Sequence, residues 1–227
     1  MIRDIEIGGR IVTWRRMHNA KVMRLRLDVA SGALKVTTPW RTSEREVGAF
    51  VSAQKDWIAA SYAALPVPAP FADGTVLPLR GENHVIRATG GVRGLVTATG
   101  GEIRVPGLPE HLSRRLYDYL INEARADLSR SVERHANTLE VTVVRIRLND
   151  ARTRWGSCSI AGNLNFNWRL ILAPSFVLEY VAAHEVAHLK EMNHSSDFWA
   201  LVAQLVEDVD KPRRWIKSNG TALRLVG

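Results

Sequence analysis

Near the C-terminal end stands the run His184-Glu185-Val186-Ala187-His188. Residues four apart on a helix share one face a single turn apart, so both imidazoles can bind one ion. Glu185, one position on, leans beside that pair and can take a proton from a metal-bound water without being a ligand itself. The chemistry is metal-assisted hydrolysis. The alternative, a chance spacing on a solvated helix, fits poorly with the surrounding Tyr180, Val181, Ala182, Ala183, Val186, Ala187 and Leu189. A stretch this apolar is buried, and buried histidines need partners.

A catalytic zinc takes three protein ligands and keeps one position open. His194, six residues after His188, is the favoured third ligand. The spacing equals that of the metzincin motif, with Glu191 where that motif carries glycine. The chain must turn sharply between Lys190 and His194, and Asn193 is the residue there most tolerant of a left-handed conformation. The rival ligand is Glu207, 19 residues beyond His188 on the following helix, with Asp208 beside it. His18, His84, His111 and His135 are scattered without ligand spacing.

A second informative stretch is Arg145-x-Arg147, followed by Asp150-Ala151-Arg152-Thr153-Arg154-Trp155-Gly156-Ser157-Cys158. Arg145, Arg147, Arg152 and Arg154 can form an anion-binding surface that contacts substrate. They can equally be the charges that keep an edge strand from pairing with other chains. Cys158 reads as a small buried thiol.

These residues need elements to hold them. Helical spacing predicts a helix from about Ser113 to His135 with Leu116, Leu120, Ala124, Leu128 and Val132 on its buried stripe. A helix is expected from Pro174-Ser175 to about Lys190, which neither Gly nor Pro interrupts after Ser175. Another starts at Ser195 or Ser196 and buries Phe198, Val202, Leu205, Val206 and Val209. Val141–Leu148 and Leu164–Leu172 read as strands, making residues 143–172 a hairpin. In the first half, Val22–Val29 and Leu34–Thr37 form a hairpin around Ser31-Gly32. Ser43 and Glu46 then have capping-box spacing ahead of a helix through Ser61. After the Pro-rich connector Leu65–Pro70 come short strands at Val76–Leu79, His84–Ala88, Leu95–Thr99 and Ile103–Val105. Pro106 and Pro109 place a boundary near residue 110.

The 227 residues, 46% apolar and 24% charged, suffice for a real core without disulfides. With one cysteine, no signal-like opening and no apolar run of membrane length, the expected setting is the cytoplasm, with no membrane partner. The net charge of +8 admits a nucleic-acid partner without favouring one. Residues 1–112 hold 15 Lys/Arg against 10 Asp/Glu and residues 113–227 hold 16 against 13, so no basic tail stands out.

The runs Arg154–Ser159, Gly162, Asn163–Asn167, Ala173-Pro174, Tyr180-Val181, His184–Leu189, Asn193–Ser195 and Phe198-Trp199 resemble the bacterial YgjP-like metallopeptidase family, which is related to the SprT-type zincins. Arg15-Arg16, Gly32, Pro39 and Trp57-Ile58 extend the resemblance to the first half. It implies an α+β fold: a β-rich part with one packed helix over residues 1–110, then a zincin-like metallopeptidase domain over 111–227. It further implies one Zn2+ per chain on His184, His188 and His194, with Glu185 as base toward a peptide or protein substrate. Two alternatives stand beside this peptidase. One is a nucleotide phosphoanhydride hydrolase that uses the four arginines as phosphate clamps. The other is a DNA-associated, SprT-like module drawing on the basic charge.

Overall fold

The computed structural model describes all residues except 1, 29–30, 66–68, 92–93 and 152. Val29, residues 66–68 of the connector and Arg152 lie outside the described residues. The chain is mixed α+β and divides into two compact units, residues 1–67 and 68–227.

In the first unit the strands β1 (Ile2–Ile7), β2 (Arg10–Met17), β3 (Arg24–Asp28) and β4 (Ala33–Pro39) lie in the order β1-β2-β4-β3. The expected hairpin is present as antiparallel β3–β4, with Leu27 opposite Leu34. Ser43 closes the expected capping box: its Oγ accepts from the Glu46 N–H, and Glu46 Oε2 accepts from the Ser43 N–H at 2.7 Å. The single helix expected after it is two, α1 (Glu44–Ala53) and α2 (Lys55–Ala63). The Gln54 N–H bonds back three residues to Val51 where the two helices meet, and Val47, Val51 and Ile58, on one helical face, join a cluster with Val12, Trp14, Leu34 and Val36.

The second unit is organised on α3 (Leu112–Leu139), whose Leu116, Leu120, Ala124, Leu128 and Val132 are buried as the spacing requires. The strands β5 (Val76–Leu79), β6 (Glu82–Gly90), β7 (Thr97–Thr99) and β8 (Glu102–Pro106) form a second sheet, order β5-β6-β8-β7. Its Leu77, Leu79, Ile86, Ile103 and Val105 share one apolar cluster with α3. The division therefore falls in the Pro/Ala connector and not near residue 110. Pro109–His111 form only a 3-10 turn that leads into α3.

The third sheet also differs from expectation. Its strands β9 (Arg145–Asn149), β10 (Gly156–Cys158) and β11 (Asn163–Asn167) run in the order β10-β11-β9. β11 pairs antiparallel with β10 but parallel with β9, so the hairpin is 156–167 and not 143–172. The final strand stops at Asn167 because its Oδ1 accepts from the Arg169 N–H at 2.9 Å and starts the 3-10 turn Trp168–Leu172.

Against α3 and this sheet packs α4 (Ser175–Ala187); α5 (Ser196–Leu205) packs on α4 and α3, and α6 (Asp210–Leu223) on α4. The start of α4 is pinned by the β5–β6 turn. The N–H groups of Arg80 and Gly81 donate to Ile171 and Leu172 carbonyls at 2.7 and 3.2 Å. Arg80 adopts φ +52°, held by two bonds to Asp127 and one to Glu123 on α3. Gly81 sits at φ +84°, and a Cβ there would fall 2.9 Å from Pro174 Cα. Gly81→Ala therefore meets both a left-handed backbone and a clash with the residue before α4. We expect a loss of roughly 2 kcal/mol or more in a denaturant titration; an unchanged midpoint would contradict this packing.

Candidate metal centre

His184 lies in the last turn of α4 and His188 caps it, so the helix supplies both on one face. A tight turn returns the chain to them with His194. The ligand atoms of the three lie within 4.8 Å of one another. Nε2 of His184 and Nε2 of His194 are 3.1 Å apart. Tetrahedral zinc with bonds of about 2.0–2.1 Å separates its nitrogens by roughly 3.3 Å, so the present spacing suits a shared cation. His188 Nδ1 donates to the Glu191 carbonyl at 3.0 Å, which leaves its Nε2 lone pair free.

The turn itself corrects one expectation. Among the described residues only Arg80 and Glu140 are non-glycine residues of positive φ, so Asn193 is not left-handed. Glu191 makes the turn: its carboxylate accepts from the Asn193 N–H at 3.1 Å while its carbonyl holds His188. Ser195 then caps α5, accepting from the Phe198 N–H at 3.3 Å. Phe198, fully buried, lies under all three imidazoles, with ring centroids 4.9, 4.5 and 4.7 Å from His184, His188 and His194. Glu207 is exposed beyond the end of α5 and outside this cluster. Its neighbour Asp208 is engaged in capping α6, accepting from the Asp210 and Lys211 N–H groups.

Glu185 is 5% exposed and touches the backbone of β10. A Cβ on Gly156 would fall 2.6 Å from Glu185 Cγ and 2.8 Å from Cδ, so only glycine lets the strand approach this closely. Burial pushes Glu185 up to about 7, opposed in part by Arg154. Burial also pushes His184 down to about 4, helped by His188, His194 and Arg213. His188 is lowered chiefly by burial as well. The two imidazoles of α4 are thus neutral at neutral pH, the form that binds a metal. Cys158, raised to about 11 by burial and by Glu185, is a thiol at neutral pH and not a nucleophile.

The loop before Gly156 is held from β11. Asn167, buried, donates from Nδ2 to the Ala151 carbonyl at 2.9 Å, and its N–H donates to the Trp155 carbonyl at 2.8 Å. Arg224 adds a bond to Ala151 and stacks over Trp155 at 4.4 Å. Of the three described arginines proposed for substrate contact, Arg154 is the one whose charge acts on Glu185. Arg145 and Arg147 are exposed on β9, separated from β10 by β11, and Arg152 lies outside the described residues. The phosphate clamp that a nucleotide hydrolase would use is not assembled among the described residues. In its place a cleft of about 370 Å³ opens beside His184 and Glu185, lined by Trp155, Tyr180, Val181, Arg213, Ile216 and Lys217. The last three belong to α6, to which the sequence reading assigns no element. Its signals were Asp208 ahead of Pro212 and the spacing of Pro212, Ile216 and Gly220, masked by Asn219-Gly220, which reads as a turn.

Residues 23–219 match the family model described as YgjP-like, metallopeptidase domain. The match places the chain in the class of metal-dependent peptidases. The chain belongs to the YgjP-like metallopeptidase family. Among solved structures, the metallopeptidase zymogen abylysin of Pyrococcus abyssi is similar over 40% of this chain and 93% of its own, with 20% identity and a TM-score of 0.37. No curated relative matches the sequence. Among the described residues no helix is long and apolar enough to cross a membrane.

Two outcomes follow from this geometry. Gly156→Ala should displace Glu185 and lower turnover at least tenfold while zinc content holds; full activity would show that the strand has room to give. The second concerns pH. Glu185 has a folded pKa of about 7, above its unfolded value of roughly 4.5, so its neutral form favours folding and that contribution is lost as pH rises through 7. Metal-free Glu185→Gln should therefore gain stability over metal-free wild type between about pH 4.5 and 7, then level off. A constant difference across that range would place the carboxyl in a polar setting.

Proposed function

We propose that the chain is a zinc-dependent peptidase, with His184, His188 and His194 as metal ligands and Glu185 as general base. The observation that supports this most is the convergence of three imidazoles beside a buried carboxyl backed by glycine. Their nitrogen donor set suits zinc, with one position left for substrate and solvent. Zinc bound there would acidify water and polarise a carbonyl.

The chain's own groups do the rest. Glu185 takes a proton on a carboxylate oxygen and releases it to the departing amine nitrogen. Gly156 packs against that carboxyl, and the charge of Arg154 favours its ionised form. Tyr180, one turn before His184, lines the cleft with a phenol kept protonated by burial. It is the proposed donor to the oxygen that gains charge as the carbonyl is attacked. The partly buried thiol of Cys158 fits a reducing, cytoplasmic setting.

Metal analysis and kinetics on three variants test the reading. Wild type should hold about one zinc per chain, and His194→Ala should fold yet surrender zinc to a mild chelator. Glu207→Ala should bind zinc normally, and Glu185→Gln should keep zinc while turnover falls at least ~100-fold. Metal lost from Glu207→Ala and retained by His194→Ala would overturn the ligand set.

A further inference from the structure

We infer that the cleft beside Glu185 selects peptides with a carboxylate next to the scissile bond, recognised by Arg213 and Lys217 of α6. The inference rests on the peptidase reading and names its substrate class.

Arg213, Ile216, Lys217 and Gly220 follow one another at helical spacing and share one face of α6. That face is turned to the cleft. Arg213, Ile216 and Lys217 line it, and Gly220 closes on Trp155, where a Cβ would lie 3.1 Å from Cζ2. The walls opposite are Trp155 and Gly156 from the β10 side and Tyr180 and Val181 from α4. Trp155, Val181 and Ile216 give the lining an apolar part, and the one acid in it among the described residues is Glu185, which is buried.

The two cations are poorly neutralised. Arg213 Nη1 lies 3.4 Å from Asp210 Oδ1, and that carboxylate is 70% exposed, so the pair is weak. The guanidinium also stacks over Trp199 at 5.1 Å, which limits the directions in which its fork can point. Lys217 has no ion pair or hydrogen bond among the described residues. A carboxylate entering the cleft would meet both cations. A neutral amide would gain less, and a lysine would be repelled. The carboxylate can belong to an Asp or Glu side chain or to the peptide's own C-terminus, which present the same group.

Zinc-loaded full-length protein should be assayed on matched peptides carrying Glu, Gln or Lys after the scissile bond, each with a free and an amidated C-terminus. Peptide affinity of the Glu185→Gln variant gives a second readout independent of turnover. The Glu peptide should exceed the Gln peptide about tenfold or more in kcat/KM and in affinity, with the Lys peptide lower still. Dependence on an internal Glu or on the free C-terminus would each bear the inference out and would separate the two sources. Arg213→Gln with Lys217→Gln should erase the preference, and Arg213→Glu with Lys217→Glu should turn it toward Lys. Indifference of wild type both to Glu against Gln and to a free against an amidated C-terminus, or a preference that survives the double variant, would overturn this inference and leave the peptidase reading intact. Cleavage of no peptide, with phosphate or pyrophosphate released from nucleoside triphosphates, would overturn both.

Discussion

The helix that carries His184, Glu185 and His188 is buried along nearly its whole length, and a helix with no solvated face must find a partner on every side. Leu116, Leu120 and Leu128 of α3 belong to the apolar cluster that receives Val177, Val181 and Val186. The polar exception toward α3, Glu179, is met by Ser131, Arg134 and His135. On the Glu185 side the partner is a strand stripped to glycine, and on the histidine side it is the ring of Phe198. The start of the helix is fixed by Gly81 against Pro174. Each neighbour of the site occupies a direction that this burial left open.

The electrostatics have the same origin. Water withdrawn from the helix disfavours every charged form, so the His184 imidazole stays neutral and the carboxyl is driven toward protonation. His184 Nδ1 is buried without a hydrogen-bond partner among the described residues, which shows how little solvation remains. A cation shared by three imidazoles would recover part of that cost, because the same low polarity that penalises an isolated charge strengthens a matched one. Arg154 acts by its charge on Glu185, and Arg213 on His184.

What could be read from the sequence was whatever depends on local spacing. The stripe of α3, the capping box at Ser43, the four small strands between residues 76 and 106 and the His-Glu-His face of α4 all lie within a few turns or pleats of chain. What could not be read depends on pairing at a distance. The parallel match of β9 with β11 is set by neither residue type nor turn, and it carries Arg145 and Arg147 away from the cleft. Gly156 looks like an ordinary strand glycine until Glu185 is placed against it. The α6 helix was hidden by Asn219-Gly220, yet Gly220 is small because Trp155 lies on it. Glu191 reads as a departure from a glycine-bearing motif, and its two hydrogen bonds give the turn another way to close.

On the proposed reading, three imidazoles and no other side chain hold the metal. X-ray absorption at the zinc edge of the loaded protein tests it most directly. The account predicts three imidazole nitrogens and one light atom from solvent, at roughly 2.0–2.1 Å. A sulfur scatterer near 2.3 Å, which would have to come from Cys158, or a shell with only two imidazoles, would contradict it.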